Sequence, residues 1–546
     1  MGTEAAILLL FVVASAVAVV ARRLSIPYTV ALVLAGLTLG ALQLMQAPAL
    51  TRDMLFLIFL PGLIFEAAFH IRFDDLWRDR AAVLGLAIPG VILTIAATAL
   101  LLVSASKGMQ LLPHGPTLAL GWPLAVLFGA AVAATDPIAV TALFERLGAP
   151  PRLTLLIKGE SLLNDGTAIV FFGLVMALIG GTHTTGGQLT VEFLRVVGGG
   201  LAVGGIVGLL IAQALQRIDD AMVAITLTTV AAYGSFLVAD QMGFSGVMST
   251  VTAGLICGNY GLRHGLSPSL RVAANTFWEY LGFALNSLVF LLMGFEIRLD
   301  DLWAAWPLIL LAYLAVTLAR ALVVAITSGA LAWTPARIPA RWALVLSWGG
   351  LRGALSMVLV LSLPADLPQR ETLVNLVFGV VLLSIFVQGL SMTPLARRLG
   401  LLGRRETMAA YEVARASLQL AADVLVEISH LRDSGFMDAQ ALDAVEADFR
   451  RRMGEANARL QALDLDPELR YREELTQLRR RMLQFEKSRA VETWRRGMIG
   501  IEAYRQLMAD IDARLLELES GSVSEAEIPV KETENTGEGT APSPRQ

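Results

Sequence analysis

Residues 134–139 read ATDPIA and residues 159–166 read GESLLNDG, and each stretch interrupts a segment otherwise apolar enough to cross a bilayer. Asp136, Glu160 and Asp165 thus put three carboxyl groups within 30 residues of chain where hydrocarbon would be the solvent. A carboxylate at the centre of a membrane helix costs roughly 2.5–3.5 kcal/mol on insertion scales, and groups held at that cost mark ion or proton paths. Asp165 stands about thirteen residues into its apolar segment, ~20 Å along a helix and near mid-membrane. Ser161 and Asp165 are four residues apart, as are Glu160 and Asn164, so each pair shares a helix face. A carboxylate so placed binds either a proton or a small cation, and competition between the two can couple opposed fluxes. Hard cations such as Na⁺ take oxygen ligands, which Thr135, Asp136, Ser161 and Asp165 supply.

Pro137 has no N–H for the carbonyl of Ala133, which predicts an unwound helix there. A helix broken at mid-membrane offers carbonyls and helix ends to an ion, a recurring construction in transporters. Gly349, Gly350 and Gly353 surround Arg352 and predict a second interruption in the other half of the chain, with Arg352 offsetting carbonyl-rich helix ends. Taken alone, Thr-Asp-Pro fits an ordinary kink and Asn-Asp fits a structural hydrogen-bond network. Together, at matched depth and with Arg320 and Arg352 also near mid-span, they fit an ion path better.

The elements that must position these groups are membrane helices. The 546-residue chain is 55% hydrophobic and 16% charged, with a mean hydropathy of +0.63, which is the composition of a polytopic membrane protein. Apolar stretches fall near 4–21, 27–46, 53–71, 80–104, 117–144, 152–180, 190–215, 219–240, 244–261, 271–297, 303–333, 338–363 and 370–397, which predicts thirteen spans. The first carries Glu4, with Arg22 and Arg23 after it rather than before, so it reads as a span and not a cleaved signal. One set of alternate loops and helix ends carries seventeen Lys and Arg and the other set five. The positive-inside rule then places the amino terminus outside and the tail in the cytoplasm. Gly200, Gly204 and Gly208 read as a packing face for a neighbouring helix.

Charge divides unevenly: residues 1–405 hold 24 basic and 20 acidic side chains, residues 406–546 hold 19 and 27. Residues 401–519 read as soluble amphipathic helices, with Leu475, Leu478, Met482 and Phe485 at helical spacing. Residues 520–546 have almost no large apolar groups and read as disordered. Nothing is basic enough for nucleic acid. Cys257 is the sole cysteine and the five histidines are scattered, which argues against a disulfide within the chain and a shared metal site. No GxxxxGK[ST], no HExxH and no Ser/His spacing occurs, so neither an enzyme nor a resident cofactor is expected. Glu66 and Glu279 are further membrane-embedded acids without an assigned role.

ATDPIAV at 134–140, KGESLLNDGTAIV at 158–170 and SWGGLRGALSMVL at 347–359 resemble the monovalent cation/proton antiporter family of NhaP-like and NHE-like sodium/proton exchangers. FLPGLIFEAAF at 59–69 and SLVFLLMGFEI at 287–297 add to the resemblance, which covers roughly residues 1–400. It implies an all-α membrane domain of inverted repeats with two interrupted, crossing helices, and a cytoplasmic helical tail. It further implies that Asp165 alternately binds cation and proton, and that Thr135, Asp136 and Ser161 help ligate Na⁺. Asn164 would hold the unwound segment, Glu160 would pair with Arg320 as a structural salt bridge, and Arg352 would stabilise the crossed helices. Asn164 beside Asp165, in place of two aspartates, resembles the electroneutral branch. A homodimer in the plasma (bacterial inner) membrane, surrounded by lipid, is implied as well. The expected function is exchange of Na⁺ or Li⁺ for H⁺. K⁺/H⁺ exchange on the same fold, a gated cation channel, and a membrane sensor signalling through its tail are the alternatives.

Overall fold

The computed structural model describes residues 3–24, 27–42, 51–110, 121–180, 185–218, 220–261, 268–401, 404–434, 438–462 and 467–519. Among them every regular element is helical. Packing divides the chain into two units, Met1–Leu463 and Asp464–Gln546.

The first unit begins with α1 (Thr3–Leu24) and α2 (Tyr28–Ala41), then passes through a π-type turn at Leu55–Phe59 into α3 (Leu60–His70). α4 (Arg80–Ala87) and α5 (Pro89–Gln110) make one long path interrupted at Pro89, which cannot donate the helical hydrogen bond. α6 (Trp122–Ala131) and α7 (Ile138–Leu147) flank the unwound residues 132–137, and α8 (Pro151–Ile179) carries the second polar stretch. α9 (Gly186–Leu215), α10 (Ala221–Gln241), α11 (Gly246–Ile256), α12 (Pro268–Glu296) and α13 (Trp306–Ala330) follow. α14 (Ala340–Trp348) and α15 (Ala354–Leu361) flank the second unwound stretch. α16 (Arg370–Leu383) runs through a π-type turn at Ser384–Gln388 into α17 (Gly389–Arg398). Seven helices among the described residues are each long and apolar enough to cross a bilayer. The other expected spans consist of shorter pieces such as Tyr28–Ala41 and Trp122–Ala131, so the number thirteen depends on reading paired pieces as single spans.

Glycine sets how closely these helices approach. A Cβ on Gly36 of α2 would strike the carbonyl oxygen of Leu291, and one on Gly294 of α12 would strike that of Val33. α9 approaches α11 the same way, with Gly200 and Gly204 against the carbonyls of Ser245 and Ser249. Without a hydrophobic force between helices in lipid, such backbone proximity supplies the packing contacts. The α3 wall is fixed by Phe65 against Trp278 of α12, ring centroids 4.5 Å apart, and Trp278 Nε1 donates to Thr228 Oγ1 at 3.1 Å.

α18 (Arg404–Ser434) and α19 (Ala439–Ala462) form a hairpin within the first unit, with Arg432 Nη2 reaching Asp443 and Glu446 at 2.6 Å each. α18 contacts α7, and packing groups α18 and α19 with the first unit. In the second unit α20 (Pro467–Arg495) and α21 (Ile501–Glu519) form another hairpin, turned at Gly497 with φ of 71°. It is pinned by Lys487–Asp512 at 2.6 Å and by Trp494 stacked on Tyr504. Leu478, Met482 and Phe485 of α20 are exposed, so their stripe is not the face that α21 covers. The stretch 520–546, read as disordered, lies outside the described residues.

Candidate functional site

The two unwound segments cross each other, and their backbone groups find partners there. Asp136 N–H donates to the carbonyl of Leu351 at 2.7 Å. The carbonyl of Ala133, which Pro137 cannot serve, accepts from Arg352 Nη1 at 2.8 Å and from Asn164 Nδ2 at 3.2 Å. Arg352 Nη1 also reaches the carbonyl of Ala134 at 3.2 Å. A guanidinium thus sits at the carbonyl end of α6, where the helix dipole is negative. The backbone N–H of Arg352 donates to Ser384 Oγ at 3.1 Å, so the π-type turn before α17 holds the second crossing strand. Both arginines are buried, Arg352 at 2% exposure and Arg320 at 5%.

α8 runs alongside this crossing. Ser161 Oγ donates to the carbonyl of Thr135, and Asn164 Nδ2 contacts Thr135 Oγ1 at 3.3 Å. Thr167, one turn on, donates to the carbonyl of Ala87 at 2.7 Å and ties α8 to the end of α4. On the same face of α8 as Asn164, Glu160 receives both Nη atoms of Arg320, with Nη2 at 2.8 Å from Oε2. Arg320 Nη2 also donates to the carbonyl of Leu346 near the end of α14. Glu160 therefore faces away from Asp165 and is committed to Arg320.

Asp165, one turn beyond Ser161, is half-buried and lines a cavity of about 520 Å³ together with Thr135, Asp136 and Ser161. Asp136 Oδ1 accepts from Ile138 N–H at 2.9 Å and caps α7, while Oδ2 lies beside Gly353. Of the residues singled out in the sequence, Thr135, Asp136, Ser161 and Asp165 thus share one cavity. Asn164, Arg352, Glu160 and Arg320 surround it from behind. The grouping brings carboxylate and hydroxyl side chains to one space, an oxygen-rich lining that suits a hard cation.

The cavity extends along α8 from Asp165 to Lys158, seven residues or ~10 Å, where Lys158 pairs with Glu145. Its α3–α12 wall carries Glu66, His70 and Glu279. His70 Nδ1 lies 2.9 Å from the carbonyl oxygen of Glu66 and 3.3 Å from its Oε1, and Nε2 lies 3.9 Å from Glu279 Oε1. Sequence reasoning left His70 among scattered histidines, and its spacing of four from Glu66 was the available signal. Thr167 and Ser384 were missed altogether, since hydroxyls in apolar helices mostly bond their own backbone.

A model of the transmembrane sodium/hydrogen exchanger family matches residues 7–398. The chain belongs to that family. It is an integral membrane transporter rather than an enzyme. The exchanger is 39% identical over 403 residues to the Na⁺/H⁺ antiporter ApNhaP of Aphanothece halophytica, which covers 72% of this chain and 74% of that protein. It is 36% identical over 414 residues to the Na⁺/H⁺ antiporter NhaG of Bacillus atrophaeus, covering 73% and 76%. The solved structure of the sodium proton antiporter MjNhaP1 from Methanocaldococcus jannaschii at pH 8 shares the fold, with a TM-score of 0.59 and 21% identity, over 73% of this chain and 98% of that one. The match ends at residue 398, so the exchanger's α18–α21 lie beyond it.

The geometry sets one requirement that is easily tested. A Cβ on Gly353 would collide with Cβ and Oδ2 of Asp136. Gly353→Val is expected to displace the aspartate and lower exchange about tenfold, the factor that about 1.4 kcal/mol of lost cation ligation would give. Measuring exchange together with the melting temperature of the purified protein separates this from unfolding. Wild-type activity in the variant would show that Asp136 tolerates displacement.

Proposed function

We propose that this exchanger catalyses electroneutral antiport of Na⁺ for H⁺, with Asp165 alternately holding the cation and the proton. The observation that carries the reading is the convergence of Asp165, Asp136, Ser161 and Thr135 on one cavity bordered by two crossed, interrupted helices. The names of the relatives, Na⁺/H⁺ antiporters, favour Na⁺ over K⁺ as the physiological ion; Li⁺, with the same ligand preference, is expected to substitute. Asn164 is engaged with Ala133 and Thr135 as an amide, which leaves one acid in the Asn-Asp pair to titrate and supports exchange of one cation for one proton.

The charge asymmetry of the loops puts the amino terminus outside and the tail helices in the cytoplasm. On that orientation the cavity mouth at Lys158 and Glu145 faces the cytoplasm. The exposed apolar side chains Val191, Leu194, Ile206 and Leu210 of α9 suit lipid or a second copy, and a homodimer belongs to this proposal. The chain is placed in the bacterial inner membrane, and residues 401–519 act as a cytoplasmic helical domain that tunes transport.

Competition for a single carboxylate has a thermodynamic signature: a cation that displaces a proton releases it to solvent. Titrating Na⁺ into the purified protein calorimetrically, in buffers of different protonation enthalpy, is expected to show release of about one proton per ion bound. The same titration on Asp165→Asn should show none. Na⁺ binding without proton release in the wild type would overturn the competition.

A further inference from the structure

Behind the crossing, on the side away from the main cavity, lies a second and much smaller space. It measures about 10 Å³ and is bounded by Tyr313 and Thr317 of α13, by Gly350 and Arg352 of the crossing strand, and by Ser384 and Gln388 of the π-type turn. Its lining is unusually polar for a membrane interior. Gln388 is 4% exposed, and its Oε1 has no hydrogen-bond partner, although its Nε2 reaches Thr317 Oγ1 at 3.4 Å. Arg320, which also borders the space, has its Nε buried without a partner. The Tyr313 hydroxyl sits beside Thr317 and Gln388 without a hydrogen bond of good geometry.

Buried polar groups left unpaired are costly, and the usual remedy is an internal water with two to four polar neighbours. The volume fits one water and is too small for a larger occupant. The chemistry fits too: a water accepts from a guanidinium N–H and donates to an amide oxygen, which suits donors that cannot accept and an acceptor that cannot donate. π-type turns are frequent at functional sites, and this one contributes both Ser384, which holds the backbone of Arg352, and Gln388.

We propose that this enclosed space between Arg320, Gln388 and Tyr313 is a binding site for one ordered water, and that Gln388, acting through it, is a positioning residue for Arg320, whose Nη2 holds the carbonyl of Leu346 ahead of the second unwound stretch. The consequence for transport rests on the antiport reading; the water site does not.

The test has two arms on the full-length protein in nanodiscs. X-ray radiolysis generates hydroxyl radicals from bound water, and after rapid mixing with H₂¹⁸O the label on a side chain next to a trapped water keeps ¹⁶O longer than bulk-labelled sites. Tyr313, at 7% exposure, is expected to be labelled with that lag in the wild type and in Gln388→Glu, which keeps the acceptor. In Gln388→Met labelling should fall to background, and Tyr313→Phe, which keeps the ring, should lose the lag. An unlabelled Tyr313, equal labelling in Gln388→Met, or loss of the label on titrating chloride would each overturn the water assignment.

In the exchange arm, Gln388→Met should lower turnover about tenfold, the scale of one lost hydrogen bond to a charged group. The KM for Na⁺ should be unchanged, and Gln388→Glu should restore turnover. Wild-type turnover in Gln388→Met would remove the positioning role. Labelling is measured without cation or gradient, so a wild-type protein that exchanges no cation at all would sink the antiport reading and leave the water site standing.

Discussion

Asp165→Asn is expected to reduce exchange to background while the protein still inserts, folds and melts near the wild-type temperature. The amide keeps the shape of the side chain and an oxygen ligand, yet it carries neither the charge that holds a cation nor a site for a transported proton. Asp165 contributes no hydrogen bond to the crossing; its neighbours Ser161 and Asn164 do that. Removing its charge also relieves the cost of holding a carboxylate near mid-membrane. Asp136→Asn provides the graded comparison. One oxygen of Asp136 already caps α7, a bond an asparagine oxygen can make, so a partial loss of about tenfold is expected from weaker cation ligation. Exchange sealed in vesicles and size-exclusion profiles in detergent check both variants together. Robust exchange by Asp165→Asn would remove that residue from the mechanism.

The second large effect is on stability. Glu160 at 2% exposure and Arg320 at 5% form a two-pronged ion pair inside the membrane domain. Breaking a buried pair by deleting one partner strands the other charge, at a cost of about 3–5 kcal/mol. Glu160→Leu is therefore expected to lower the melting temperature sharply and to reduce the yield of folded protein. Replacing both partners, Glu160→Leu with Arg320→Met, takes away both desolvation costs and should recover most of the loss. Per folded molecule the double variant should still exchange, because Glu160 points towards Arg320 and not into the cavity that holds Asp165. Thermal melting of the single and double variants, followed by exchange normalised to folded protein, separates the structural role from a transport role. A stable double variant with no exchange would mean that Glu160 or Arg320 takes part in transport and not in structure alone.

Residue types and spacing already pointed to the site in the sequence where the cause was local. Pro137 breaks its own helix through a missing N–H, and Ser161 and Asp165 share a face by helical spacing alone. The three glycines around Arg352 marked the second break for the same kind of reason. What spacing could not reveal was which group answers each orphaned backbone atom. The carbonyl of Ala133 is served by Arg352 from 219 residues away, and that pairing exists only once the half-helices cross. Ser384 and Gln388 read as ordinary residues of an apolar span, since a π-type turn has no signature in hydropathy. His70 joined Glu66 and Glu279 only when α3 packed on α12. In the tail, helices were legible from periodicity, whereas the face of α20 that α21 covers was not: Leu478, Met482 and Phe485 of the stripe read from spacing are exposed.

The central claim is most directly tested by exchange in sealed vesicles carrying an imposed proton gradient and a lumenal pH dye, with Na⁺, Li⁺, K⁺ or choline added in turn. Collapse of the proton gradient on adding Na⁺ or Li⁺ but not choline, at a rate unchanged when the membrane potential is clamped to zero, is the predicted result. No response to any of the cations, or a response carried by a membrane current, would contradict electroneutral antiport.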